Sequence, residues 1–115
     1  MTSSQEAPDF IGFSVRWFAW RSAYPISIVT GYRAAHLLFG TSNEPDMVIP
    51  RRMAFWMVRT LGMWSYPEIG RALGRDHTTI RLATVTVEQS LKEKSMPYYP
   101  LMMDVLEVDR ELRRP

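Results

Sequence analysis

The side chains with the most chemistry to offer stand together in one run, Arg75-Asp76-His77-Thr78-Thr79. Threonine hydroxyls can bond a base edge or a phosphate, and threonine methyls can meet the methyl of thymine. The His77 ring offers an N–H donor. Asp76 can cap a helix and can accept from a cytosine amino group. Arg75, just ahead of that cap, is suited to a phosphate, and a helix N-terminus itself attracts phosphate. The same residues make a poor catalytic set. The chain has two histidines, His36 and His77, far apart in sequence, and no cysteine. A disulfide framework, a thiolate zinc site, an iron–sulfur cluster and a cysteine nucleophile are thereby excluded. His36 has no second ligand type at metal spacing and reads as a surface or capping residue. No metal, cofactor, small-molecule substrate or enzyme activity is expected.

The charge distribution points to the same run. Over 115 residues the net charge is only +2. Residues 51–81, however, carry Arg51, Arg52, Arg59, Arg71, Arg75 and Arg81 against Glu68 and Asp76, a net of +4, while the flanking thirds are each at −1. All of the central positive charge is arginine, whose planar fork suits phosphates and guanine edges. A solvated helix face is the plain alternative for such charges.

Those side chains need helices to position them. Strand-like alternation is scarce, and proline and glycine divide the chain into helical lengths. Ser65-Tyr66-Pro67-Glu68 is a capping box, and it opens a short helix to Leu73 with Ile69, Ala72 and Leu73 inward. Gly74 turns the chain. A longer helix from Asp76 to about Lys94 then turns Ile80, Ala83, Thr84, Val87 and Leu91 inward. Short helix, glycine turn and longer helix make the sequence form of a helix-turn-helix, in which the start of the second helix reaches the major groove. Pro50 is expected to begin a helix that is apolar over most of its circumference (Met53, Phe55 to Met57, Thr60, Leu61), ended by Gly62. Arg51, Arg52 and Arg59 hold its remaining face.

The outer segments read as additions. Asp9 caps a first helix to Tyr24 in which Phe10, Phe13, Trp17, Trp20 and Tyr24 form an aromatic stripe flanked by Arg16 and Arg21. The spacing predicts that this stripe packs onto the core. Its other use is as an interfacial helix on a membrane or a partner protein, and burial decides between them. Pro25 opens a short helix through Val29. Tyr32 to Phe39 forms another, with Ala34, Ala35, Leu37 and Leu38 buried and Gly40 at its end. Thr41 to Ile49 is a loop. After the Met96–Pro100 break, Leu101 to Arg113 forms an amphipathic helix with Leu101, Met102, Val105, Leu106 and Leu112 on one side. No stretch is apolar enough to span a membrane, and Met1 to Pro8 read as a polar tail rather than a signal peptide.

Several segments together resemble one family: Pro50-Arg51-Arg52-Met53-Ala54, then Ser65-Tyr66-Pro67-Glu68-Ile69-Gly70-Arg71-Ala72-Leu73-Gly74-Arg75-Asp76-His77-Thr78-Thr79-Ile80, then Val87-Glu88-Gln89. They look like the C-terminal DNA-binding domain of DnaA, the bacterial chromosomal replication initiator. The resemblance covers about residues 25–94 and leaves out the first and last helices. It implies binding to duplex DNA without catalysis. It also implies that Asp76, His77, Thr78 and Thr79 work in the major groove, that Arg59 touches the backbone, and that Pro67 and Arg75 fill family positions. The residues expected to serve DNA binding are Arg51, Arg52, Arg59, Ser65, Pro67, Arg75, Asp76, His77, Thr78, Thr79 and Arg81.

Three departures accompany the resemblance. The family has two glycines before its arginine; here Gly74 stands alone and the turn is one residue shorter. The family's basic loop before the central helix reads Asn43-Glu44-Pro45-Asp46 here. Val85 and Thr86 stand where the recognition helix is basic in the family. No glycine-rich nucleotide-binding loop with Lys-Ser or Lys-Thr occurs, so the initiator's ATPase module is absent from this sequence.

The expectation is therefore an all-α protein: a tail over 1–8 and one helical domain over 9–115. Its helix-turn-helix core spans about residues 50–94, with an added aromatic N-terminal helix and an amphipathic C-terminal helix. It would bind specific double-stranded DNA as a regulator of transcription or replication, without ATPase activity, in the cytoplasm on the nucleoid. The aromatic helix could also meet a protein partner. The alternative is a protein- or membrane-interaction module that keeps the fold and binds DNA weakly.

Overall fold

A computed structural model describes residues 10–42 and 44–115. Among these, six helices and no strands form: α1 (Phe10–Thr30), α2 (Ala34–Phe39), α3 (Pro45–Leu61), α4 (Tyr66–Leu73), α5 (His77–Lys92) and α6 (Tyr98–Arg113). The all-α expectation is met. The expected Asp9 cap, the tail and Asn43 lie outside the described residues.

α3 is the central element, and α1, α2, α4, α5 and α6 all pack against it. Met53, Ala54, Phe55, Met57 and Val58 are buried, which leaves the α3 surface apolar on most sides. Burying each large side chain here stabilises the fold by about 1.5–3 kcal/mol. Thr60 and Leu61, expected inside, are exposed at the end of the helix. The helix also starts earlier than Pro50. Pro45 sits in its first turn, where a missing amide costs nothing, and Pro50 lies inside and is buried. The loop expected from Thr41 to Ile49 is therefore short, and Asp46 belongs to the first turn of α3, where its charge suits the helix dipole.

α1 differs more from expectation. It is one helix of 21 residues that runs through Pro25 without a break. Its core side is Val15, Ala19, Ala23 and Ile26, all fully buried, with Gly12, Ser22 and Pro25 beside them. Phe10, Phe13, Trp17, Trp20 and Tyr24 lie on the opposite side and are exposed. The expected packing of the aromatic stripe onto the core is thus corrected. The small side chains let α1 approach α3 and α4 closely, and packing on both sides of Pro25 outweighs its missing hydrogen bond. Phe18 reaches inward to meet Trp64 edge-on at 5.3 Å.

α2 starts at Ala34 rather than Tyr32. Ala34, Leu37 and Leu38 are buried, but Ala35 is exposed. α6 begins at Tyr98, three residues earlier than expected, because Pro100 falls in its first turn and leaves no helical bond unmade. Tyr98, Met102 and Val105 are buried, whereas Leu106 and Leu112 are exposed. Arg21 of α1 donates to Asp109 of α6 at 3.3 Å, tying the two added helices together.

Candidate nucleic-acid interface

The helix-turn-helix is set by local chemistry at each joint. Ser65 caps α4: its hydroxyl accepts the Glu68 amide at 3.2 Å, and the Glu68 carboxylate accepts the Ser65 amide at 2.9 Å. The bond from the Ser65 amide, then the Ser65 hydroxyl beside the carboxylate and the Arg71 charge, hold the Glu68 carboxyl below the usual carboxylate range. Pro67 lies in the same first turn and is exposed. Gly74 ends α4 with a left-handed backbone, φ 68°, which suits glycine. The Gly70 carbonyl accepts amides from both Gly74 and Arg75. Asp76 then caps α5, its carboxylate accepting the Thr78 amide at 2.7 Å. That bond, and the nearby His77, lower the Asp76 pKa. The turn with one glycine fewer still closes a complete helix-turn-helix.

The result is one exposed edge. Asp76, His77, Thr78 and Thr79 are exposed side by side at the start of α5, and Arg81 is exposed one turn further on. Ile80, Ala83, Thr84 and Val87 face inward and anchor α5. Leu82 and Val85 are also exposed along the helix, each at 55%. A cleft of about 260 Å³ lies between the first half of α3 and α5, lined by Val48, Arg51, Arg52, Thr79, Leu82 and Thr86 among others.

The arginines divide into two groups. Arg51 donates to the carbonyls of Leu37 (2.9 Å), Ser42 (2.8 Å) and His36 (2.8 Å), and to Met47 Sδ at 2.9 Å. Arg75 donates to the Leu38 and Gly40 carbonyls, at 3.1 and 2.5 Å from Nη2, and its guanidinium lies 5.5 Å from the Phe55 ring centre. The two forks close the C-terminal end of α2: they meet the Leu37 and Leu38 carbonyls and those of Gly40 and Ser42 just beyond it, and at His36 they add to the Gly40 amide. Burial lowers the pKa of both, and for Arg75 the charge of Arg51 adds to it. Residue type and the central charge total did not reveal this inward role. The available signal was a short helix ending in Gly40 without a side-chain cap. Arg52 is exposed and donates to the Tyr98 hydroxyl at 3.0 Å. Arg59 is half-buried, stacked 4.5 Å over Tyr66, and donates weakly to the Trp64 carbonyl at 3.4 Å. His36 is exposed, and its carbonyl, not its ring, does the bonding.

Asp76, His77, Thr78 and Thr79 are thus exposed in succession at the start of α5, Arg81 follows along that helix, and Ser65 and Pro67 are exposed at the start of α4. The guanidinium groups of Arg51 and Arg75 are engaged by the carbonyls around the end of α2, and Arg51 also borders the cleft that Thr79 lines. Among the described residues no group of three His, Cys, Asp or Glu side chains could hold a metal, and no helix is long and apolar enough to cross a membrane. A residue that sequence reading missed is Gly70. A Cβ there would lie 2.6 Å from the Arg75 carbonyl oxygen, so α4 and the start of α5 cross where only glycine fits.

Fold and edge together define a helix-turn-helix of the DNA-binding class. Residues 34–87 match the family model described as the bacterial DnaA protein helix-turn-helix, and over that segment the chain is similar to a DnaA-type domain. The match spans α2 to most of α5 and leaves out α1 and α6. Relatives described as chromosomal replication initiator protein DnaA include that of Oenococcus oeni, 46% identical over 48 residues, covering 41% of this chain and 11% of the relative. That of Deinococcus radiodurans is 36% identical over 55 residues, covering 48% and 12%. That of Thermus thermophilus is 42% identical over 53 residues, covering 45% and 12%. The chain therefore spans about an eighth of the length of these relatives. No solved structure matches it.

Proposed function

We propose that this chain binds a specific double-stranded DNA sequence through α5 and acts as a regulator of transcription or replication, without ATPase activity of its own. The observation that carries the reading is the exposed Asp76–Thr79 edge on a capped, well-anchored helix within the DnaA-type segment. Placed in the major groove, Thr78 and Thr79 present hydroxyls and methyls to base edges, and His77 presents a ring donor. The helix N-termini of α4 and α5, with Ser65 and Pro67 at the first of them, lie against phosphates. Arg52, Arg59 and Arg81 supply the positive charge nearest that surface. Leu82 and Val85 favour apolar contact with thymine methyls over the phosphate contacts of a basic helix.

Spending Arg51 and Arg75 on α2 leaves fewer cations for the backbone. Each lost phosphate contact flattens the dependence of log affinity on log salt by roughly 0.9. Affinity is accordingly modest and specificity rests on α5. Such a reader of DNA would work in the cytoplasm, on the nucleoid.

The test is selection from a random duplex library, followed by titration of the enriched site against a scrambled duplex at several salt concentrations. Enrichment of one site, with affinity that falls as salt rises, is expected. Absence of salt-sensitive binding to any duplex overturns the reading. The exposed α1 stripe keeps a second contact surface in play. It shares no residue with the Asp76–Thr79 edge.

A further inference from the structure

We infer that the outer face of α1 is a self-association surface and that its occupant is α1 of a second copy of this chain. Phe10, Phe13, Trp17, Trp20, Tyr24 and Ile28 line that face. The steps between them are three or four residues, which keeps the stripe straight along the helix. Phe10 is 71% exposed and Trp17 60%.

The area fits a pair of chains. From the usual size of these side chains and their exposure, the stripe offers about 600–700 Å² per copy. That exceeds what a monomer ordinarily leaves open, about 300–600 Å². Two copies facing each other would bury about 1,200–1,400 Å², within the range of specific, stable interfaces.

The chemistry of the face also fits a copy of itself. No charged side chain interrupts the stripe, and α1 holds no acidic residue. Arg16 and Arg21 only flank it, and Arg21 is already engaged by Asp109. An uncharged stripe can meet its own image across a two-fold axis without placing like charges together. Trp20 and Tyr24 are stacked at 5.4 Å, so part of the surface is ordered before any partner arrives. Tryptophan and tyrosine at the centre of a patch are the residues that dominate association energy. α1 and α5 both pack on α3, and the Asp76–Thr79 edge shares no residue with the stripe. The inference does not rest on DNA binding.

Sedimentation velocity of the full chain across the micromolar range tests it. The expected result is a concentration-dependent mass that rises to twice 13.4 kDa. Trp17→Glu and Trp20→Glu should each weaken the pair at least tenfold while circular dichroism stays that of the wild type, since both side chains are exposed. Phe13→Gln, a milder change on the same stripe, should lower the pairing in the same direction. A wild-type chain that stays at the single-chain mass throughout overturns the inference, whether or not it co-sediments with phosphatidylglycerol vesicles. A double-mass species that persists in all three variants overturns it too.

Discussion

The Gly70 carbonyl accepts the Arg75 amide at 2.8 Å, and the Gly70 Cα is so near that a Cβ would stand 2.6 Å from the Arg75 carbonyl oxygen. This double contact fixes how α4 meets the turn and hence where α5 begins. Gly70→Ala therefore forces the turn away from α4. Overpacking of this kind costs about 1–3 kcal/mol, and here it also displaces the recognition edge. Thermal unfolding should show the loss, and DNA affinity should fall by more than the unfolded fraction explains. An alanine variant with wild-type melting and binding would show that the turn yields freely.

Arg51 and Arg75 carry a prediction about stability. Each fork serves carbonyls at and just beyond the end of α2, and bonds from a charged donor are worth about 1.5–3 kcal/mol. Arg51→Ala and Arg75→Ala should each destabilise the fold by about 2–4 kcal/mol in urea unfolding. Arg51→Lys should recover little, because an ammonium cannot span the three carbonyls that Nε, Nη1 and Nη2 reach. If these arginines served phosphates instead, their removal would leave the unfolding midpoint in place and lower only the salt slope of binding.

The helix-turn-helix was legible because its signals are local. The Ser65 and Glu68 capping box, the Gly74 turn and the Asp76 cap each involve residues within three or four positions of one another, and all stand as expected. The two faces of α1 were not legible in the same way. Val15, Ala19, Ala23 and Ile26 repeat at helical spacing just as the aromatics do. Hydrophobicity alone favours the larger stripe, whereas close packing on α3 and α4 selects the smaller one. The roles of Arg51 and Arg75 depend on contacts 14 and 37 positions away, at Leu37 and Leu38, which no local pattern discloses. Pro25 and Pro50 read as helix starts and are instead accommodated inside helices held from several sides.

Side chains on the outer edge of α5 should separate reading from holding. Thr79→Ala and His77→Ala are expected to cost about 1–3 kcal/mol in binding to the selected site and to relax its sequence preference. Arg81→Ala and Arg59→Ala should weaken all duplexes alike and reduce the salt slope by roughly one unit each. Thr79, His77 and Arg81 are exposed, so their melting temperatures should match the wild type. Fluorescence anisotropy on matched and scrambled duplexes checks this. A Thr79→Ala variant that loses both duplexes equally would move Thr79 from base reading to the backbone.

Acid should loosen the helix-turn-helix first at its two caps. Glu68 and Asp76 both have folded-state pKa values below the usual carboxylate range, chiefly because each accepts a backbone amide, from Ser65 and Thr78 respectively. A depressed folded pKa means that the ionised form is favoured by folding. The contribution is present above the ordinary carboxylate pKa and is lost as pH falls through that value toward the lower, folded one. Melting temperature should therefore decline on acidification below about pH 4–5. Glu68→Gln combined with Asp76→Asn removes both titrations while keeping the side-chain shape. The acid limb of the variant's curve should be shallower than the wild type's, even if its plateau near neutral pH is lower. Parallel acid limbs would place the acid sensitivity in the other carboxylates and leave these two caps without a share in it.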